Sequence, residues 1–316
     1  MTGSVEPYIV DRAAVAAEAE ANFGHPRFDE AVALYAAAGM DPPSEDPRLA
    51  KLVCNVARYT LAVAVLHLDA TGGPNGRGAT AANLRQMLTT GQFASDGWVK
   101  SAVRVFARAG YFDRHPAVDD RRSIRVTPSE TMIRIAQEAI APKLAVIELL
   151  SPLPLPAEEL ARFPGFIAAM ATHTIVPYLT DGFTELEGFP EIRELVRRDY
   201  GYVVYCVIVA SMRREPDGAT IAEVPSLPLA RRFGMSRNQS RAILESCRAA
   251  GLITEIGRGG HRIALAPHFA DRCRRYVAFE VACWSRMIRA AAHDVGLAIP
   301  PPATSALRRP RPRQRR

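Results

Sequence analysis

Cysteine is scarce and unpaired. The 316 residues hold five (Cys54, Cys206, Cys247, Cys273 and Cys283), with no Cys-x-x-Cys and no Cys/His spacing suited to a metal. That argues against a disulfide scaffold and leaves reduced thiols acting as small hydrophobes on apolar helix faces. The seven histidines are scattered, so neither a structural metal nor a cofactor is expected. Long apolar runs are missing too. The longest, Thr60 to Leu68 and Tyr202 to Met212, fall short of the roughly 20 residues that a bilayer-crossing helix needs, so no membrane partner is expected. Met1 to Arg12 lacks the basic and apolar regions of a secretory signal, which makes a cytoplasmic location the expectation. Also absent are a Gly-rich phosphate loop after a strand, a His-Glu-x-x-His and a Gly-x-Ser-x-Gly elbow, and the chain does not read as an enzyme.

Positive charge is sparse outside one segment. The net charge is +7, but six arginines (Arg308, Arg309, Arg311, Arg313, Arg315 and Arg316) lie in the last ten residues. Without them, 34 basic residues face 33 acidic ones. Pro300 to Pro302 and the Pro/Arg alternation that follows can neither hold a helix nor bury a face, so residues 298–316 read as a disordered arm. Such an arm either adds nonspecific attraction to nucleic acid or serves solubility alone.

What the chain does contain is the same stretch twice, about 140 residues apart. Gly78-Ala79-Thr80-Ala81-Ala82 recurs as Gly218-Ala219-Thr220-Ile221-Ala222, and Ser95 as Ser236. Ala109-Gly110 recurs as Ala250-Gly251, and Val126 and Pro128 as Leu265 and Pro267. Two copies of this length read as a duplicated domain rather than a solenoid, which needs three or more short repeats.

In the first half, helical periodicity spans 11–38, broken at Gly24-His25-Pro26, and continues over 48–69, 81–89 and 96–109. Ser123 to Thr127 alternates as a strand, and a closing helix runs over 129–150. Alternating prolines from Ser151 to Pro156 mark a semi-rigid junction. Helices are then expected over 158–170, 190–212, 229–233 and 237–250, a wing over 253–265 and a closing helix over 268–292. The fold class expected is mainly α with small β wings: two tandem winged helix-turn-helix units flanked by helices, over 1–150 and 157–297.

Ser95 caps the second of the two short helices in the first unit, and Val99, Val103 and Phe106 form its apolar stripe. That leaves Lys100, Ser101, Arg104 and Arg108 outward, the first three as candidate DNA contacts. The stretch Gly110-Tyr111-Phe112, then Asp120-Arg121-Arg122 and a strand ending in Thr127, resembles the wing of the MarR family of regulators over residues 80–131. Glu130 stands where that family often has Gly, and Asp96 and Trp98 are unusual on its reading helix. The resemblance implies that Arg121 or Arg122 enters the minor groove of DNA; Arg125, on the same wing, reads as a further positioning contact to the backbone or minor groove.

The second half resembles the GntR-type winged helix over 225–265, through Pro225-Ser226, Ala230, Phe233-Gly234-Met235-Ser236-Arg237, Arg241, Leu244, Gly251-Leu252-Ile253 and Gly257-Arg258-Gly259. It departs at Pro228 and at Ser240, where an apolar residue is usual. Here the resemblance implies DNA contacts by Ser236, Arg237 and Arg241. The residue types agree, because Arg suits guanine and Asn or Gln suits adenine. Arg237, Asn238, Gln239 and Arg241 therefore read as base readers, with Arg258 and Arg262 on the wing.

The expected partner is double-stranded DNA, bound by a transcriptional regulator that is a pseudo-dimeric monomer or a homodimer. A protein-docking module and a plasmid-type replication initiator are the alternatives. Tyr59 and Tyr200, at equivalent repeat positions, read as packing residues; the MarR resemblance implies a second role, lining a pocket for a small-molecule effector. Truncation after Ala298 is expected to keep the fold and sequence preference while weakening binding to random DNA, because arginines without apolar partners attract diffusely and in a salt-sensitive way. Competition binding with random duplex at two salt concentrations checks this, and a loss of sequence discrimination would show instead that the arm reads a groove.

Overall fold

The computed structural model describes residues 11–41, 54, 56–90, 95–116, 123–255 and 261–298. It is 67% helical, and its strands form only two small antiparallel sheets, in accord with the mainly α class expected. Among the described residues, no helix is long and apolar enough to cross a membrane.

The first half runs α1 (Arg12–Phe23), α2 (Phe28–Met40), α3 (Val56–Thr71), β1 (Ala79–Thr80), α4 (Ala81–Thr90), α5 (Asp96–Arg108), β2 (Phe112–Pro116), β3 (Ile124–Pro128) and α6 (Glu130–Leu150). The second runs α7 (Ala157–Arg162), α8 (Phe166–Asp181), α9 (Pro190–Val196), α10 (Gly201–Ser211), β4 (Arg213–Arg214), β5 (Thr220–Glu223), α11 (Ser226–Phe233), α12 (Arg237–Ala249), β6 (Ile253–Glu255), β7 (Arg262–Leu265) and α13 (Pro267–Asp294). Helix, strand, two helices, two strands and a long closing helix thus occur twice. The sheets are ordered β1-β3-β2 and β4-β5-β7-β6, so β4, which the sequence reading lacked, is an addition at one edge.

Register corrects part of the sequence repeat. The N–H of Ser129 bonds to the carbonyl of Tyr111, and that of Ala266 to the carbonyl of Leu252, at the same point where strand passes into closing helix. Counting from these bonds, Val126 matches Ile263 rather than Leu265. Val126 pairs with Ala79 and Ile263 with Ala222, so Ala79 matches Ala222, not Ala219. The recurring Gly-Ala-Thr is therefore a likeness of letters: Gly218 turns the β4–β5 hairpin, which the first half lacks. The helix caps do correspond, with Ser95 and Ser236 at N-caps and Ala109 and Ala250 at C-caps.

Two expected helices are broken. The stretch 158–170 divides at Phe163-Pro164-Gly165, where Pro164 cannot donate to a continuing helix and Gly165 takes φ of 78°. The resulting α8 reaches Asp181, well beyond Met170. The stretch 190–212 divides at Tyr200, which adopts φ of 65°, a conformation uncommon for a residue with a side chain. Gly201 follows because a Cβ there would lie 1.8 Å from the Leu195 carbonyl oxygen.

The helical pair that opens each half packs on the head of the other half. From the first half, α1 lies along α13 and α2 against α10; reciprocally, α7 lies against α6 and α8 along α3. The match extends to α2 on α6 and α8 on α13. Phe28 and Phe166, each the first residue of its helix and each two residues after a proline, are both buried. Polar contacts follow the same exchange. Arg275 meets Glu20 at 3.0 Å and His67 Nδ1 meets Thr172 Oγ1 at 3.0 Å across the halves, while His173 Nε2 meets Asp294 at 2.7 Å within the second. One apolar core consequently runs through both halves.

At the centre of this exchange lies a buried polar cluster. Tyr35 on α2 donates to the carboxyl of Glu280 on α13, and the Tyr202 hydroxyl stands 3.0 Å from that of Tyr35. Lys143 on α6 places its ammonium 4.5 Å from the centre of the Trp284 ring, one turn along α13 from Glu280. Counted from Ser129 and Ala266, Lys143 and Glu280 hold the same position on the two closing helices. Burial pushes the Glu280 carboxyl from its usual 4.5 up to about 8, with the Glu185 carboxylate adding to the rise and Tyr35 and Lys143 opposing it.

The folded chain thus keeps Glu280 protonated at pH values where the unfolded chain has released it. Folding takes up a proton in that window, and the stability this contributes, complete at low pH, is lost as pH rises towards 8. Glu280→Gln is expected to flatten this decline, leaving a variant that gains on the wild type as pH rises, read by urea denaturation at a series of pH values. Parallel curves for the two proteins would show that Glu280 does not carry the effect.

Candidate nucleic-acid interface

Helices α5 and α12 hold equivalent places, and each is amphipathic. On α5, Val99, Ala102, Val103 and Phe106 are buried, with the Phe106 ring stacked on Phe112 at 4.8 Å between centroids. Lys100, Ser101, Arg104 and Arg108 are exposed, as the spacing predicts. Trp98 is half-buried against the core, the bland role for a tryptophan. On α12, Ser240, Ile243, Leu244 and Cys247 face inward while Arg237, Asn238 and Arg241 are exposed. Ser240 is tolerated in an apolar position because its hydroxyl lies 3.1 Å from that of Ser226.

Several residues read as DNA contacts are engaged inside the protein. Ser236 accepts from the Gln239 N–H at 3.1 Å, and the Gln239 side chain accepts from the Ser236 N–H at 2.8 Å, a complete capping box. Two expected readers thus spend polar atoms on starting α12. Arg125 turns towards α3 and pairs with Asp69 at 2.7 Å; its Nε is buried without a partner against Gly78, where a Cβ would come within 3.0 Å. Arg262 pairs with Glu215 at 3.1 Å, within a lattice that also joins Arg213 to Glu223 at 2.8 Å. Arg121, Arg122 and Arg258 lie outside the described residues. Tyr59 and Tyr200 prove unlike in setting: Tyr59 is 44% exposed, whereas Tyr200 is buried at the start of α10.

What remains outward is Lys100, Ser101 and Arg104 on α5, with Arg237, Asn238 and Arg241 on α12. The two sets differ in charge compensation. Arg241 holds Glu245 at 2.9 Å, whereas Arg104 lines a groove with Arg108 and with Arg114 of β2, floored by Ala107. Arg108 was legible as outward from the helix period. Arg114 was missed: alternation sets it on the face of Phe112, but only the packing of β2 on α5 brings it to Arg104.

Four of the five cysteines are buried, and all five are free. Burial pushes the thiols up, to about 11 at Cys247 and about 12 at Cys54, which leaves them protonated and poor nucleophiles. No group of His, Cys, Asp and Glu that could hold a metal occurs among the described residues. Comparison of the chain with family models, curated proteins and solved structures finds no match. The reading of its function therefore rests on its own residues.

The caps make a direct contrast. Ser95 occupies the N-cap of α5 without a side-chain cap bond, whereas Ser236 makes the full box. Ser236→Ala is expected to destabilise the protein by about 1 kcal/mol and Ser95→Ala by much less, measured by urea denaturation. Equal losses would show that the two caps act alike.

Proposed function

We propose that the chain is a sequence-specific regulator that binds duplex DNA through two winged helix-turn-helix heads. The observation that carries this reading is the twice-repeated order of helix, strand, two helices and two strands. In both copies the strand that precedes the helix pair is hydrogen-bonded to the last strand of the unit, and the second helix of the pair turns cationic side chains outward, joined on α12 by Asn238. That is the arrangement in which a helix enters the major groove while the hairpin beside it reaches the backbone or the minor groove. The reciprocal helices support a pseudo-dimeric monomer, with both heads set by one core.

On this reading α12 does most of the base recognition, through Arg237, Asn238 and Arg241, since bidentate pairing to bases needs such side chains. The Glu245 partner of Arg241 is no obstacle, because an exposed ion pair is worth less than about 1 kcal/mol. A cytoplasmic location follows from the same proposal, as regulation of transcription requires it.

Selection from a random-sequence duplex pool tests the reading, and an asymmetric preferred site is expected. Arg241→Ala should cost about 1 to 3 kcal/mol on that site and relax preference at one or two base pairs, whereas Lys100→Ala should weaken binding to all sequences more evenly. A protein that enriches no sequence and binds no duplex overturns the proposal in favour of a protein-docking role.

A further inference from the structure

The groove between α5 and β2 carries an arrangement that folding alone does not explain. Arg104 and Arg108 stand one helical turn apart on α5, a spacing at which like charges repel. Arg114, on the same face of β2 as Phe112, brings a third guanidinium to the same groove, with only the small Ala107 between. All three are exposed, and among the described residues none makes an ion pair or side-chain hydrogen bond. The nearest acid in sequence, Asp113, alternates to the other face of the strand.

The second half shows that this clustering is not required by the fold. Counting from the matched caps Ser95 and Ser236 and the matched strand starts Phe112 and Ile253, the same three positions hold Glu245, Ala249 and Glu255. Three positive charges in one head stand where the other has two negative ones. In the second head Arg213 pairs with Glu223, Arg232 with Asp41, Arg241 with Glu245 and Arg262 with Glu215, whereas Arg214, Arg231 and Arg237 are exposed outside these pairs. The groove of the first head is distinguished by gathering three guanidiniums with no carboxylate partner among the described residues.

We infer that this groove is a phosphate-binding site, in which Arg104, Arg108 and Arg114 grip the backbone of the duplex independently of its sequence. The inference rests on the DNA-binding reading and adds a division of labour to it. The first head anchors the protein through charge, and the second reads bases. Guanidinium suits the task because its planar fork of donors matches the oxygens of a phosphodiester, and each phosphate neutralised releases condensed counterions into solution. The same groove would accept a terminal phosphate or a free phosphate ion by the same chemistry, so the test separates those sources from backbone phosphate.

The experiment compares the full chain with R104A/R108A/R114A and with R104K/R108K/R114K, measuring the affinity for mixed-sequence duplex across a range of salt. The alanine triple is expected to lose affinity equally for every sequence and to reduce the salt slope by about 0.9 per lost contact. The lysine triple keeps the charge and should restore the slope. Circular dichroism shows whether the alanine triple remains folded; the lysine triple carries the comparison if it does not. Competition by inorganic phosphate, and by duplex with or without terminal phosphates, separates the sources: equal binding to both duplexes supports the backbone, and dependence on the ends overturns it. Retained duplex binding with an unchanged slope in the alanine triple overturns the groove while leaving the DNA reading standing. Absence of duplex binding by the wild type overturns both.

Discussion

Everything in this molecule hangs on the exchange of helical pairs between its halves. Because α1 and α2 complete the head built on α10 and α13, and α7 and α8 complete the one built on α3 and α6, neither head has its full core without the other's opening helices. Burying a large apolar side chain contributes about 1.5 to 3 kcal/mol, and fully buried side chains such as Tyr35, Phe166 and Tyr276 belong to elements packed in this exchange. The arrangement fixes the two sheets, and the helices standing on them, as parts of one body. Relative placement of α5 and α12 is therefore a property of the core rather than of a linker.

Periodicity and punctuation made much of this visible in the sequence. The stripe Val99, Val103, Phe106 and the caps at Ser95 and Ser236 needed only local information, because a helix face and its start are decided within a few residues. Long-range choices were not visible. Nothing local shows that Arg125 reaches back 56 residues to Asp69, or that Ser236 and Gln239 satisfy each other rather than a ligand. The repeated Gly-Ala-Thr misled for a related reason: strand register is set by pairing with β3 or β7, and a shared triplet carries no register. The helix break at Tyr200 depends on a close approach to Leu195 that periodicity averages away.

The interface shows the same distinction energetically. An arginine paired with a neighbouring carboxylate and an arginine left beside two others look alike in a sequence. In the structure the first is part of the surface's own electrostatic balance, and the second raises the local potential wherever it stands. The six arginines of the C-terminal segment give the chain its net charge, but the three beside α5 concentrate charge at a fixed point of the fold.

Lys143 and Glu280 occupy one position on the two closing helices and lie within electrostatic reach of each other at the centre of the molecule. Two identical subunits meeting about a twofold axis place the same residue opposite itself, so at this position a dimer of two copies of either half would set ammonium against ammonium or carboxyl against carboxyl. A basic and an acidic side chain at equivalent places require two halves that differ in sequence.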